Sequence, residues 1–233
     1  AYEILTCDWS SDVCSSDLYE RRKNIVKYDD VMSTQREVIY AERQRILRGD
    51  DLEEQAEGMV EEVVEGTVRR LVPEDPLAEE WDRDLALAGL REVFPTTITR
   101  EELDGAGSLD ELVERAIADA LDRYEERERL VGEGAMRQLE RLVLLNLTDT
   151  KWREHLYEMD YLQEGIHLRA IAQRDPITEY RREAYAMFEE LTASIREDFV
   201  KYIYRVELVR QDEPGRPRPQ RVSTNAKIGR AHV

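Results

Sequence analysis

Two stretches decide the fold. The first runs Met136-Arg137-Gln138-Leu139-Glu140-Arg141-Leu142-Val143-Leu144-Leu145 and on through Trp152, Leu156, Met159 and Leu162. The second runs Asp175-Pro176-Ile177-Thr178-Glu179-Tyr180 and on through Ala184, Met187, Leu191, Ile195, Phe199, Ile203 and Val206. In each, apolar residues recur at steps of three and four, the spacing of one face of an α-helix. In the first stretch either Leu142 or Val143 continues the stripe. Both stripes outlast an average globular helix of ~11–12 residues. Asp175 is a suitable N-cap, and Pro176 fits the first helical position, where its missing N–H costs nothing. Gly165 looks like a helix end, and only the short segment from Gly165 to Asp175 joins the two stripes. Long helices with so short a connection fold back on each other as an αα-hairpin.

Toward the N-terminus, Ile25, Tyr28, Met32, Ile39 and Ile46 line one face of a helix over residues 22–48, with polar Arg, Glu and Gln in the gaps. Gly49-Asp50-Asp51 supplies a C′ glycine and then caps. A second helix covers Leu52 to Val72, with Met59, Val63, Thr67 and Leu71 on one face, until Pro73 and Pro76 stop it. Trp81 to Val93 reads as a short helix ended by Phe94-Pro95, and Thr99-Arg100-Glu101-Glu102 starts another turn. Ser108-Leu109-Asp110-Glu111 has the capping-box pattern, and Leu112, Ala116, Ala120 and Tyr124 continue in helical register to about Leu130. From Gln211 the chain becomes a proline-rich, flexible tail or linker to Lys227. The fold class is all-α.

Composition excludes several functions. A net charge of −18 lacks the surplus of Lys and Arg that phosphate neutralisation needs, so nucleic acid is not a partner. No apolar run approaches the ~20 residues of a bilayer span. Two Cys and three His cannot build a metal scaffold.

The termini read differently from the middle. Asp12 to Leu18 can be encoded by GACGTGTGCTCTTCCGATCT. The reverse complement of that string, AGATCGGAAGAGCACACGTC, read from its third base, encodes Ile228 to Val233. It resembles a sequencing-library adapter. Residues 1–18 and 228–233 are therefore set apart from the fold, as a fusion scar is. Asp8 to Leu18 also has no helical or strand periodicity. Cys7 and Cys14 do not have the C-x-x-C spacing of a redox pair. Residues 19–227 contain no cysteine, which fits a reducing cytoplasm.

No G-x-x-x-x-G-K-[ST] loop occurs, so the chain is expected to be catalytically silent toward ATP. Glu164-Gly165-Ile166-His167 has the E-x-x-H spacing of di-iron bundles, but such a centre needs a second motif, and His155 is preceded three residues earlier by Trp152. His155 reads as a helix-surface or hairpin-seam residue. The hairpin tip is unusual for a connection, since Ile166, Leu168 and Ile171 are apolar beside Arg169 and Arg174. Two accounts fit it. Either these side chains tuck under and close the hairpin core, or they form a protruding surface for another apolar polypeptide or a channel mouth.

Two runs carry a family resemblance. Arg22-Lys23-Asn24-Ile25-Val26-Lys27-Tyr28-Asp29-Asp30-Val31-Met32, with Gln35-Arg36 and Ile39-Tyr40, resembles the start of the helical scaffold of the SecA family of bacterial preprotein translocase ATPases. Trp152-Arg153-Glu154-His155-Leu156-Tyr157-Glu158-Met159-Asp160-Tyr161-Leu162, with Gly165 to Arg169 and Ala172 to Pro176, is a longer and more specific match to the same family. Glu179-Tyr180, Arg182-Glu183 and Met187-Phe188 extend it. The likeness spans about Tyr19 to Leu208 and is weakest in the acidic middle.

The resemblance implies a scaffold helix over 19–48, a helical wing over 49–134, and a two-helix finger with the rest of the scaffold over 135–210. It implies a finger tip (Ile166, His167, Leu168, Arg169, Ile171, Gln173, Arg174) that touches the SecY channel complex and an unfolded preprotein. Family members commonly carry an aromatic where this chain has Ile171, so a bulky apolar contact without a ring is implied here. ATP and magnesium would belong to nucleotide-binding domains of the complete parent, which are expected as further partners of this part. A Cys-rich zinc-binding tail that often follows in the family has no counterpart in this sequence. The implied place of work is the cytoplasm, peripheral on the cytoplasmic face of the bacterial plasma membrane. Periodicity by itself supports only a helical scaffold or interaction module, which is the alternative reading.

Overall fold

A computed structural model describes residues 9–49, 51–72, 82–105, 108–169 and 175–206. Seven helices and no strand occur among them: α1 (Trp9–Arg48), α2 (Leu52–Leu71), α3 (Arg83–Val93), α4 (Arg100–Asp104), α5 (Leu109–Val131), α6 (Glu133–Arg169) and α7 (Pro176–Arg205). The chain is all-α, as its periodicities indicate.

Local signals set most boundaries. Gly49 adopts φ +76° and donates its N–H to the Arg45 carbonyl, closing α1 with a left-handed residue that glycine adopts without strain. Asp82 caps α3 by accepting from the Leu85 amide at 3.0 Å. Thr99 and Glu102 form a reciprocal capping box on α4. Ser108 caps α5 by accepting from the Glu111 amide, and the Glu111 carboxylate ion-pairs with Arg115 one turn on. Asp175 is the N-cap residue of α7 with Pro176 at its start, yet its carboxylate accepts from the Thr178 hydroxyl at 2.9 Å instead of from a backbone amide.

Three apolar clusters hold the helices. The largest joins α2, α3, α4 and α5 to the first turns of α6 (Met136, Leu139, Val143, Leu144) and the last turns of α7 (Phe199, Val200, Ile203, Tyr204). The α2–α5 lobe therefore shares its core with the base of the hairpin. Val143, buried, takes the inward position that pattern left between it and Leu142, which is 66% exposed. Two smaller clusters follow along the hairpin where α1 lies against α6 and α7.

Three expectations are corrected. The helix runs back to Trp9, through residues that show no periodicity, because extending a formed helix adds about one hydrogen bond per residue fixed. Ile25 is 62% exposed and stands off the buried face of α1. Gly165 does not end α6. A helical glycine costs only ~1 kcal/mol, and its neighbours Leu162 and Ile166 are buried against Tyr28 and Tyr180, so α6 continues to Arg169.

Candidate functional site

The hairpin is formed by α6 (37 residues) and α7 (30 residues), and α1 packs along both of its helices. Near the tip, Tyr28 meets Tyr180 edge to face at 4.8 Å, with Met159, Leu162, Ile166 and Ala184 around them. Burial pushes the Tyr180 hydroxyl up to about 12, so it stays neutral. Nearer the base, Ile39, Trp152, Leu191 and Ile195 form the next cluster.

Between these two clusters sits a polar node. The Gln35 side-chain amide donates to the Ala184 carbonyl at 3.0 Å, and His155 Nε2 lies 2.9 Å from Gln35 Oε1. Trp152 stacks on the imidazole at 5.5 Å, and Phe188 lies 6.0 Å away. His155 is 2% exposed, and that burial lowers its pKa, so the ring is held neutral. His155 is thus a seam residue, the second of its two sequence readings. By pattern Gln35 falls among the polar gap residues of α1. Its place at 28–32–35–39 on the buried stripe is the signal that marks it.

At the base, a fully buried carboxylate, Glu140, accepts from the Tyr124 hydroxyl at 2.5 Å, with Arg137 Nη1 3.1 Å from its other oxygen. Arg137 also donates to Glu128 at 2.8 Å. Burial outweighs these partners and pushes the Glu140 carboxyl up to about 7, and the same burial raises Tyr124. Glu140 is polar and lies off the apolar stripe read from the sequence, so pattern gives no sign of its burial.

The outward flank of the hairpin is unlike the seam. Tyr157 and Tyr161, one turn apart on α6, are 72% and 80% exposed, and with Glu158, Leu162, Glu183 and Met187 they line a groove of about 450 Å³. Of the tip residues named from sequence, Ile166 is fully buried. Its expected role as a contact at the tip is corrected, because Leu162, Tyr180 and Ala184 enclose it. His167, Leu168 and Arg169 belong to the last turn of α6, while Ile171, Gln173 and Arg174 lie outside the described residues.

Among the described residues, α2, α3, α4 and α5 each carry Asp or Glu in the first turn, where a carboxylate interacts favourably with the helix dipole. Among the described residues no group of three or more His, Cys, Asp and Glu could hold a metal ion. No helix among them is long and apolar enough to cross a membrane. The arrangement holds a long hairpin against α1 and leaves Tyr157 and Tyr161 exposed on its flank.

Such an architecture defines a class, the all-α scaffold that presents a two-helix projection. The family model described as the SecA wing and scaffold domain matches residues 14–207, and the chain belongs to the SecA family. The protein translocase subunit SecA of Streptomyces griseus is 45% identical over 196 residues, which is 82% of this chain and 21% of that protein. The protein translocase subunit SecA 1 of Mycolicibacterium paratuberculosis is 50% identical over 200 residues, 81% of this chain and 21% of that protein. That of Thermobifida fusca is 45% identical over 204 residues, 84% and 21%. The chain spans about a fifth of the length of these curated relatives.

Proposed function

We propose that this chain is the force-transmitting part of a SecA-type motor that pushes preproteins through the SecY channel. In this reading residues 19–48 of α1 are the scaffold helix, residues 49–134 are the wing, and residues 135–210 form the finger with the remaining scaffold. The relatives are named as protein translocase subunits, which supports the assignment. The carrying observation is continuity of packing. The hairpin is bound along its length to α1, and its base shares one apolar core with α2–α5, so a displacement at either travels to the tip with little loss. ATP and magnesium act in other domains of the complete protein. The working location in this reading is the cytoplasmic face of the bacterial plasma membrane.

The contact residues of this reading are His167, Leu168, Arg169, Ile171, Gln173 and Arg174, and the unfolded preprotein meets the apolar ones. The test is Ile171→Gly in the complete parent enzyme, assayed by translocation into vesicles, with urea unfolding of the 233-residue chain carrying the same change. Translocation falls several-fold while stability changes by less than about 1 kcal/mol, as for an exposed position. Arg169→Ala and Arg174→Ala weaken channel engagement, more so at low salt, because exposed charges are screened as ionic strength rises. Unchanged translocation, or unfolding of the chain by Ile171→Gly, overturns the reading and leaves the tip as a loop that closes the hairpin.

A further inference from the structure

The node between α1, α6 and α7 has one hydrogen-bonding solution. The Ala184 carbonyl can only accept, so the Gln35 NH2 must face it. Gln35 Oε1 then faces His155, and since that oxygen can only accept, His155 carries its proton on Nε2. Nδ1 is left bare, buried and without a hydrogen-bond partner. Gln35 is 6% exposed, His155 2% and Ala184 0%, so water does not offer any of them an alternative. On both sides along the seam the contacts are apolar: Tyr28, Met159, Leu162, Ile166 and Tyr180 toward the tip, and Ile39, Trp152, Leu191 and Ile195 toward the base.

Apolar stripes of helical period fix which face is buried more firmly than they fix axial position. A slip of one turn, about 5.4 Å, offers a similar set of apolar neighbours again. A buried polar pair does not tolerate the slip, because its groups lose their partners without regaining water. A single buried polar position setting register at a cost in stability is an attested use of such groups. We propose that Gln35 and His155 are a register lock that fixes the axial position of the hairpin on the scaffold helix. The node's geometry carries this, and it does not rest on the proposed function.

The test uses the 233-residue chain with Cys7→Ser and Cys14→Ser, spin-labelled at exposed Glu37 on α1 and exposed Tyr185 on α7, with the label-to-label distance distribution measured by pulsed electron resonance. The parent gives one narrow distance. Gln35→Leu/His155→Phe, which replaces both polar groups with apolar ones, gives a broad or split distribution with a component displaced by about one helical turn, ~5 Å. Its urea midpoint stays at or above that of the parent. A single, unshifted distance in the folded double variant overturns the proposal. If the double variant does not fold, the single variants decide. Gln35→Leu must broaden the distribution and His155→Gln, which keeps an N–H toward Oε1, must leave it narrow; any other pairing of results overturns the lock.

Discussion

Tyr204, in the last turn of α7, donates its hydroxyl to the Ala120 carbonyl in the middle of α5 at 2.7 Å. The end of the hairpin is thereby bonded into the α2–α5 lobe. Arg127 of α5 caps the same end by donating to the Tyr204 carbonyl at 2.9 Å and to the Val206 carbonyl, and Arg205 reaches the Glu92 carbonyl at the end of α3. Cations at a helix C-terminus satisfy its orphan carbonyls and oppose its dipole.

Tyr204→Phe removes one buried donor and keeps the ring beside Phe94, 5.9 Å away. The expected loss is about 1 kcal/mol, the net worth of one such hydrogen bond. Tyr204→Ala also opens a cavity and is expected to cost about 3–5 kcal/mol. Urea unfolding of both variants checks the ratio; equal losses would mean that the hydroxyl, and not the ring, carries the contact.

Glu140 gives the chain a pH dependence of unusual sign for a carboxylate. Its folded pKa is raised from 4.5 to about 7, so the folded state binds the proton more tightly than the unfolded chain does. The stability linked to Glu140 is therefore full below pH 4.5 and declines as pH rises through about 7. The displacement corresponds to roughly 3 kcal/mol at full ionisation. Glu140→Gln keeps an acceptor for Tyr124 and cannot titrate, so its stability is expected to vary less over that window. Urea midpoints at pH 5, 6, 7 and 8 for both proteins test this, and parallel curves would show that Glu140 does not titrate on folding.

His155 acts in the opposite direction. Burial lowers its folded pKa below 6.5, so protons favour the unfolded chain. Its contribution is intact above pH 6.5 and is lost as pH falls below that value. His155→Gln is expected to flatten the acid side of the stability curve while leaving its alkaline side in place. Proton resonances of the imidazole followed between pH 7.5 and 5 would give the same answer directly, and a titration near 6.5 in the folded state would contradict it.

What sequence reveals here divides along a physical line. Leu112, Ala116, Ala120 and Tyr124 on α5, and Tyr180, Ala184, Leu191, Ile195, Phe199 and Ile203 on α7, follow the helical period in the sequence and are all buried. Amphipathic period exposes such positions because burying apolar area is what the helix face is for. Gln35 and Glu140 escape the same reading, and His155 is left between surface and seam, since a polar residue is assigned to water unless its partner is known. Those partners lie 120 residues away for the Gln35–His155 pair and 16 for Tyr124–Glu140. Gly165 misled in the other direction. Its local preference is weak, and burial of Leu162 and Ile166 overrides it.

Gly132 sets the turn between α5 and α6, and its substitution is the sharpest backbone test. It is the lone residue between Val131 and Glu133, with φ +93° and ψ 136°, a conformation that side chains with a Cβ rarely adopt. Its amide donates to the Glu128 carbonyl at 2.7 Å and its carbonyl accepts from the Met136 amide at 2.9 Å, so one residue ends one helix and begins the next. Nothing lies within 4 Å of where a Cβ would stand, so the penalty of Gly132→Ala comes from the backbone alone. It is expected to cost about 1–3 kcal/mol. Gly66→Ala in α2 supplies the contrast, because Gly66 is exposed, inside a helix and equally free of neighbours. There the change is expected to stabilise by about 0.5–1 kcal/mol through helix propensity. Urea midpoints of the two variants should move in opposite directions. A shift of Gly132→Ala in the same direction as Gly66→Ala would mean that the junction relaxes to an ordinary helical link, and that the angle between α5 and α6 is set by side-chain packing around Tyr124 and Met136 instead.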